Sequence, residues 1–312
     1  MESYVRDYFD AHAEAWLEQA YQPGALPPAF PVGEERIRLA LAGVADAVGA
    51  GGSLVDLGCG GGQLCAHAAA LGMNAVGVDV APGMIEAAER LRASLPTADA
   101  ERIRLVTGAY DEVDLPPASF DGATALGLIE YLPEDVSLLG RVRELLRPGG
   151  RFAVSCRNRL YNLSSANEYT ARELEEGSAQ ALHDELARLL GSTRPEELRE
   201  LARALADGAD ELAAAAAADE RDPPPELLHH PSRFHETRRQ HTPAEIEESA
   251  KAAGLRLLQV LALHPHPLPP MLESLAPRVY NRLAVAWQRS LAASPAGLVS
   301  SSGFVAILER PA

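Results

Sequence analysis

Between residues 53 and 156 short apolar runs take turns with segments of helical period, and that alternation excludes most folds before any motif is read. The runs "SLVDL", "NAVGVDV", "RIRLVTGAY", "FDGATALG" and "RFAVSC" begin at Ser53, Asn74, Arg102, Phe120 and Arg151. Between them lie "QLCAHAAAL", stopped by Gly72, "PGMIEAAERLRASL", with proline in its first turn, and "DVSLLGRVRELL", stopped by Pro148-Gly149-Gly150. Strands that are apolar on both faces belong to parallel sheets covered by helices on each side. Ligands of such sheets bind beyond the carboxyl ends of the strands, where the strand order reverses.

The first strand opens straight onto that edge. "LVDLGCGGGQL" sets Gly58, Gly60, Gly61 and Gly62 directly after the apolar run. Each glycine costs about 0.5–1 kcal/mol relative to alanine in a regular element, so the cluster implies a ligand approaching the backbone closely. A dinucleotide turn, G-x-G-x-x-G, would need its third glycine where Gln63 stands; the spacing present is G-x-G-x-G, at Gly58, Gly60 and Gly62. That turn has no pyrophosphate to grip, which argues against a nicotinamide-dependent oxidoreductase. Asp79 closes the second strand, where a carboxylate accepts from both hydroxyls of a ribose. An unphosphorylated ribose suits an adenosine; the structural alternative for Asp79 is a helix N-cap.

Together "VDLGCGGG", "VGVDVAPGMIEAAERL", "FDGATALGLIEYLPE" and "RVRELLRPGGRFAVS" resemble the class I S-adenosylmethionine-dependent methyltransferases of small-molecule type. The resemblance is close over 35–158 and extends to 242–310 in topology. It implies an α/β, Rossmann-like, doubly wound sheet of seven strands. The last strand is antiparallel and inserted between the fifth and sixth, with a helical cap insertion. S-adenosyl-L-methionine is the implied cofactor and S-adenosyl-L-homocysteine the product. Carried over by position, Asp56, Gly58, Cys59, Gly60 and Gly62 border the methionine part and Asp79 binds the ribose. Val80 and Met84 flank the adenine, and Ala109 and Tyr110 follow the third strand on the cofactor side. Ala109 stands where the family usually has an acid; Asp111 follows two residues later. Leu126 and Gly127 offer carbonyls to the ammonium. Trp16 or Tyr21 would cover the sulfonium by a cation–π contact, or pack as core aromatics.

Three segments follow: 1–32, an N-terminal helical lid; 33–168 with 240–312, the cofactor-binding core; and 169–239, a helical cap rich in Ala, Glu, Leu and Arg. The insertion reads as two or three helices, and residues 270–292 as one. On the substrate side Tyr131, Arg157, Asn158 and Tyr161 leave the fourth and fifth strands, and arginine there suits a carboxylate or phosphate. His264, His266 and His230 belong to a late group of histidines that reads as structural, as a general base, or as a metal site. The expectation is a base and no metal. A base favours a hydroxyl acceptor, in secondary-metabolite or polysaccharide biosynthesis. An N- or C-methyltransferase, or a cyclase-like or binding relative that does not methylate, are the alternatives. A formal net charge of −16 argues against nucleic acid and anionic membrane as partners. Three sparse cysteines, no leader and no long apolar run place the expected protein in the cytoplasm.

Overall fold

The computed structural model describes residues 2–21, 30–165, 167–221, 238–273 and 275–312. Helices α1 (Glu2–Tyr21) and α2 (Val32–Val48) precede the alternating core. The core runs β1 (Ser53–Leu57), α3 (Gln63–Ala70), β2 (Asn74–Asp79), α4 (Pro82–Ser94), a single turn α5 (Thr97–Ala100), β3 (Ile103–Thr107) and β4 (Phe120–Leu126). Helix α6 (Val136–Leu145) leads into β5 (Leu146–Arg157), and a further turn, α7 (Asn162–Ser165), ends this half. Next come α8 (Glu168–Glu175), α9 (Ala179–Gly191), α10 (Pro195–Asp207) and α11 (Ala209–Arg221). The chain closes through α12 (Pro243–Ala252), β6 (Arg256–Pro265), α13 (Pro277–Leu291), α14 (Pro295–Val299) and β7 (Ser301–Glu309).

The seven strands form one sheet in the order β3-β2-β1-β4-β5-β7-β6. Strands β1 to β5 pair in parallel, while β7 runs antiparallel to both β5 and β6. This is the sheet the resemblance implies. Burial on both faces explains the apolar strands. Along β7, Val305 and Ile307 join the core cluster on the α2 face, whereas Phe304, Ala306 and Leu308 join the cluster on the α12 face. The strand order reverses between β1 and β4, so the glycine turn sits at the switch point.

Several boundaries differ from those read in the sequence. The described part of the insertion carries four helices, because Gly177, the 191–195 stretch and Gly208 each end one. The 270–292 stretch is broken ahead of Pro277 into a 3-10 turn at Pro270–Leu272 and α13; proline starts a helix more readily than it continues one. Strand β5 begins at Leu146, so the Pro-Gly-Gly stop lies within the strand. Helix α12 starts as its sequence indicates: Thr242 Oγ1 accepts from Glu245 N at 3.2 Å and Glu245 Oε2 accepts from Thr242 N at 2.8 Å. Among the described residues no helix is long and apolar enough to cross a membrane. Cys59, Cys65 and Cys156 are unpaired and buried.

Candidate active site

The glycine turn owes its shape to backbone that only glycine adopts at low cost. Gly58, Gly60 and Gly62 have φ of 73°, 51° and 79°. The amides of Gly58 and Cys59 both donate to Val78 O, at 2.8 and 3.0 Å, which lays the turn across the end of β2. Asp79 completes the junction. Its Oδ2 accepts from Gly60 N and its Oδ1 from Ala81 N, both at 2.9 Å, so one carboxylate ties the turn to the start of α4. Burial raises the Asp79 pKa, and the amides of Ala81, Gly60 and Val80 oppose that rise. Each oxygen keeps a second lone pair for a ligand.

A cavity opens above this junction. Its floor is Gly58, Gly60, Val78 and Asp79, and Val80 and Met84 form one wall. Ala109, Tyr110 and Asp111 follow β3 along the side, and Leu126, Gly127 and Leu128 follow β4 across from them. Helix α1 lends Val5, Phe9 and Trp16, and the remaining lining includes the charged Arg36, Glu130 and Arg238 beside Tyr131. A Cβ built on Gly60 meets nothing closer than Met84 Sδ at 4.0 Å, so a side chain there would occupy the cavity itself. The turn is therefore a cradle kept open by missing side chains. With an acidic acceptor at the end of β2 and an aromatic wall, it fits an adenosyl group.

Of the residues expected to hold cofactor, Gly58, Gly60, Asp79, Val80, Met84, Ala109, Tyr110, Leu126, Gly127 and Trp16 line this cavity. Three others stand behind it. Asp56 is 3% exposed and its Oδ1 accepts from Thr124 Oγ1 at 2.7 Å; burial pushes its carboxyl up to about 7. Cys59 is buried against Gly77, with its thiol pKa raised by burial, and Gly62 faces Ala88 of α4. The Tyr21 side chain lies outside the described residues, as does His230.

The substrate-side expectations divide. Tyr131 lines the cavity, and Phe9 meets its ring edge-on at 5.6 Å. Arg157 stands behind Glu130, its Nε 3.9 Å from Glu130 Oε2. Asn158 is a correction: its Nδ2 donates to Leu298 O and Ser301 O at 2.7 and 2.8 Å and its Oδ1 accepts from Leu160 N at 3.1 Å. That side chain joins β5 to the start of β7 and has little left for a substrate. Tyr161 stacks on His266 with ring centroids 5.0 Å apart and does not line the cavity.

Neither His264 nor His266 lines the cavity. His264 has φ of 58°, lies against Phe30 at 5.0 Å and bonds Ser302 Oγ through Nδ1 at 3.2 Å. His266 bonds Tyr280 Oη through Nδ1 at 2.9 Å. Burial drives both toward the neutral form, His264 to about 3 with help from His266 and Arg36, and His266 to about 4. Among the described residues no three His, Cys, Asp or Glu converge as metal ligands.

Comparison with known proteins decides the family. Residues 55–152 match a family model described as "Methyltransferase domain". A ubiquinone biosynthesis O-methyltransferase from Xanthomonas euvesicatoria pv. vesicatoria is 32% identical over 55% of this chain and 70% of its own length. The chain belongs to the class I S-adenosylmethionine-dependent methyltransferases. A ubiquinone biosynthesis O-methyltransferase from Paraburkholderia phymatum is 35% identical over 49% of this methyltransferase, which spans 63% of that relative. Among solved structures, magnesium protoporphyrin IX methyltransferase from Synechocystis PCC 6803, with S-adenosylhomocysteine bound, shares the fold with a TM-score of 0.57. It is 14% identical and covers 99% of this chain and 100% of its own.

Sequence reasoning missed the charged part of this methyltransferase's cavity lining. Arg36 comes from α2, and its Nη1 stands 3.2 Å from where a Gly127 Cβ would lie. Nothing in "GEERIRLALAG" separates Arg36 from the neighbouring solvated arginine. Glu130 did carry a signal. It is the one acid amid apolar residues directly after the fourth strand, in "GLIEYL", and it is 9% exposed.

Proposed function

We propose that this methyltransferase transfers the methyl group of S-adenosylmethionine to a hydroxyl oxygen of a small molecule. The observation that carries the reading is one cavity shared by the glycine cradle, Asp79 and a buried acid, Glu130, whose Oε2 has no hydrogen-bond partner. When bound, the cofactor supplies a methyl group made electrophilic by its sulfonium. The rest falls to the chain. Asp79 accepts from the ribose hydroxyls with the lone pairs that Gly60 and Ala81 leave free. Val80, Met84, Ala109 and Tyr110 enclose the adenine, and Asp111 lies beside them for its amino group. The carbonyls of Leu126 and Gly127 face the ammonium, and Arg36 the carboxylate. Trp16 supplies an aromatic wall that favours a sulfonium. Asp56, Cys59 and Gly62 act from behind by shaping the turn.

Glu130 takes the proton of the acceptor hydroxyl. The reading favours it over His264 and His266 because it lines the cavity and they do not. The histidines, held neutral, build the wall beyond. Hydroxyl transfer accords with the O-methyltransferase names of the relatives, and a biosynthetic role is the natural extension. A base at Glu130 would serve an N- or C-methyl acceptor as well, so the preference for oxygen rests on the names of the relatives. Helix α1 supports the lid role of segment 1–32, since Val5, Phe9 and Trp16 wall the cavity. Among the described residues of the cap segment, Arg238 lines it. The unpaired cysteines accord with a cytoplasmic, reducing location.

The test is calorimetric titration with S-adenosylhomocysteine of the wild type and of Asp79→Asn. An amide accepts on one oxygen only, so the variant loses one backbone bond and one ribose bond. Affinity should fall by about 1–3 kcal/mol, the usual range for a bond to a charged group. Wild-type affinity in the variant would remove Asp79 from the ribose site. Absence of binding by the wild type would remove the function.

A further inference from the structure

Strand β4 parts from the glycine turn at a single carbonyl. Asp56 of β1 lies opposite Thr124 of β4, so a parallel ladder continued past Leu57 would bring the Cys59 amide to Leu126 O. The turn diverts it. Gly58 takes φ of 73°, and the amides of Gly58 and Cys59 both donate to Val78 O, at 2.8 and 3.0 Å. Among the described residues no turn or loop backbone amide donates to Leu126 O. On its other side β4 keeps a partner. Leu126 pairs with Ser155 as the last step of the β4–β5 register, and the buried Ser155 hydroxyl accepts from Gly127 N at 2.8 Å. The peptide joining Leu126 to Gly127 is trans and planar, so its N–H and C=O point opposite ways. With the N–H held toward β5, the carbonyl is turned toward β1, on the side of the glycine turn and the cavity.

A carbonyl fixed in this way is an acceptor offered to a ligand, and the stronger bonds to it come from ionised donors. Such bonds weaken steeply when the donor or acceptor is turned off line. Gly127 keeps the space beside the carbonyl open. It takes φ of 79°, and a Cβ built there would lie 3.2 Å from Arg36 Nη1 and 3.7 Å from Glu130 Oε1. On the methyltransferase reading above, on which this inference rests, the Leu126 carbonyl meets the cofactor's ammonium and Arg36 its carboxylate. We infer that Ser155 is a positioning residue for the cofactor: through Gly127 N it holds the Leu126 carbonyl toward the ammonium. Gly127 lies one residue past the end of β4, where the strand no longer fixes the peptide by itself. Without the hydroxyl the peptide can rock, and the carbonyl loses its aim. The nucleoside end does not depend on this bond. Asp79 and the turn are held by bonds of their own, from Gly60 N and Ala81 N to Asp79 and from Gly58 N and Cys59 N to Val78 O. Ser155 therefore acts on the amino-acid end of the ligand alone.

The experiment titrates the full chain by calorimetry with two ligands, S-adenosylhomocysteine and 5′-S-(3-carboxypropyl)-5′-thioadenosine, which is the same molecule without its amino group. The wild type should bind S-adenosylhomocysteine about tenfold or more tightly than the second ligand, as expected for a hydrogen bond from a charged group. Ser155→Ala removes one buried oxygen and adds no bulk. It should lower S-adenosylhomocysteine affinity about fivefold or more and leave the second ligand within about twofold of its wild-type affinity. Asp79→Asn should instead weaken both ligands alike, since both carry the ribose. Equal loss of the two ligands in Ser155→Ala would mean that the hydroxyl only supports the fold, and no loss of either would mean that the carbonyl keeps its aim without it. Either result overturns the inference, as does equal binding of the two ligands by the wild type. Failure of S-adenosylhomocysteine to bind the wild type overturns the methyltransferase reading instead, and this inference falls with it.

Discussion

Alanine at Gly60 and alanine at Gly62 should damage this protein in opposite ways, although the two residues lie in one turn. At Gly60 the backbone holds φ of 51°, and a side chain in that region costs about 1–2 kcal/mol. No steric cost is added, because the nearest atom to the new Cβ is Met84 Sδ at 4.0 Å. The methyl group instead enters the cavity. One misplaced methyl in a fitted pocket weakens binding by about 1–3 kcal/mol, or 10–200-fold. At Gly62 the backbone term is similar, with φ of 79°. Here the Cβ falls 3.0 Å from Ala88 Cβ and 3.4 Å from its Cα, so α4 must shift. Overpacking adds about 1–3 kcal/mol, for a total of roughly 2–5 kcal/mol of lost stability. Gly60→Ala should thus lose affinity for S-adenosylhomocysteine with a small loss in melting temperature. Gly62→Ala should melt several degrees lower, yet bind nearly as the wild type below its transition. Calorimetry and thermal unfolding on both variants make the comparison. Wild-type affinity in Gly60→Ala would mean that the cavity does not receive the ligand along the turn.

Two further predictions concern proton linkage. Burial would raise the Asp135 carboxyl, but bonds from His241 Nε2 at 3.0 Å and Arg239 Nη1 at 2.8 Å win and hold it at about 2. A depressed carboxylate stabilises above its unfolded pKa of about 3.9, and the contribution vanishes as pH falls toward 2, here on the order of 2 kcal/mol. Urea unfolding of Asp135→Asn should therefore show that loss at pH 7 and little at pH 2; an equal loss at both would refute the pairing. His264 and His266, lowered to about 3 and 4, bind protons more readily unfolded, so stability should decline as pH drops from about 6.5 to 4. His266→Phe should flatten that decline, and an unchanged slope would show that His266 is not held neutral.

The part of the cavity proposed for the adenosyl group was legible because its information is local. The glycine turn, Asp79, Val80 and Met84 sit on consecutive elements whose order along the chain is their order around the cavity. Strand periodicity and glycine spacing read such a region directly. The rest of the cavity draws on residues as distant in sequence as Arg36 and Arg238, and position along the chain says little about which way a side chain faces there. Arg36 and Arg238 carry no local mark, and Asn158, well placed in the sequence, has its hydrogen bonds taken by Leu298, Ser301 and Leu160. His264 and His266 do reach the correct edge of the sheet. A positive φ and a stack of neighbouring rings turn them away from the cavity, and a single sequence records neither.

The position of β7 bears on how the chain is made. This strand is the last of the seven to be synthesised, yet it lies between β5 and β6 and pairs with both, Cys156 with Phe304 and Leu263 with Gly303. Until residues near 309 have left the ribosome, β6 has no neighbour in the sheet and the outer edge of β5 stays unpaired. The strands around the glycine turn, complete by β5, have their partners long before. Assembly of this edge of the sheet thus waits on a loop closure of about 150 residues, the kind of distant pairing that slows folding and leaves apolar strand edges exposed meanwhile. The nascent chain pairs the strands that carry the glycine turn and Asp79 first, and closes the opposite edge of the sheet last.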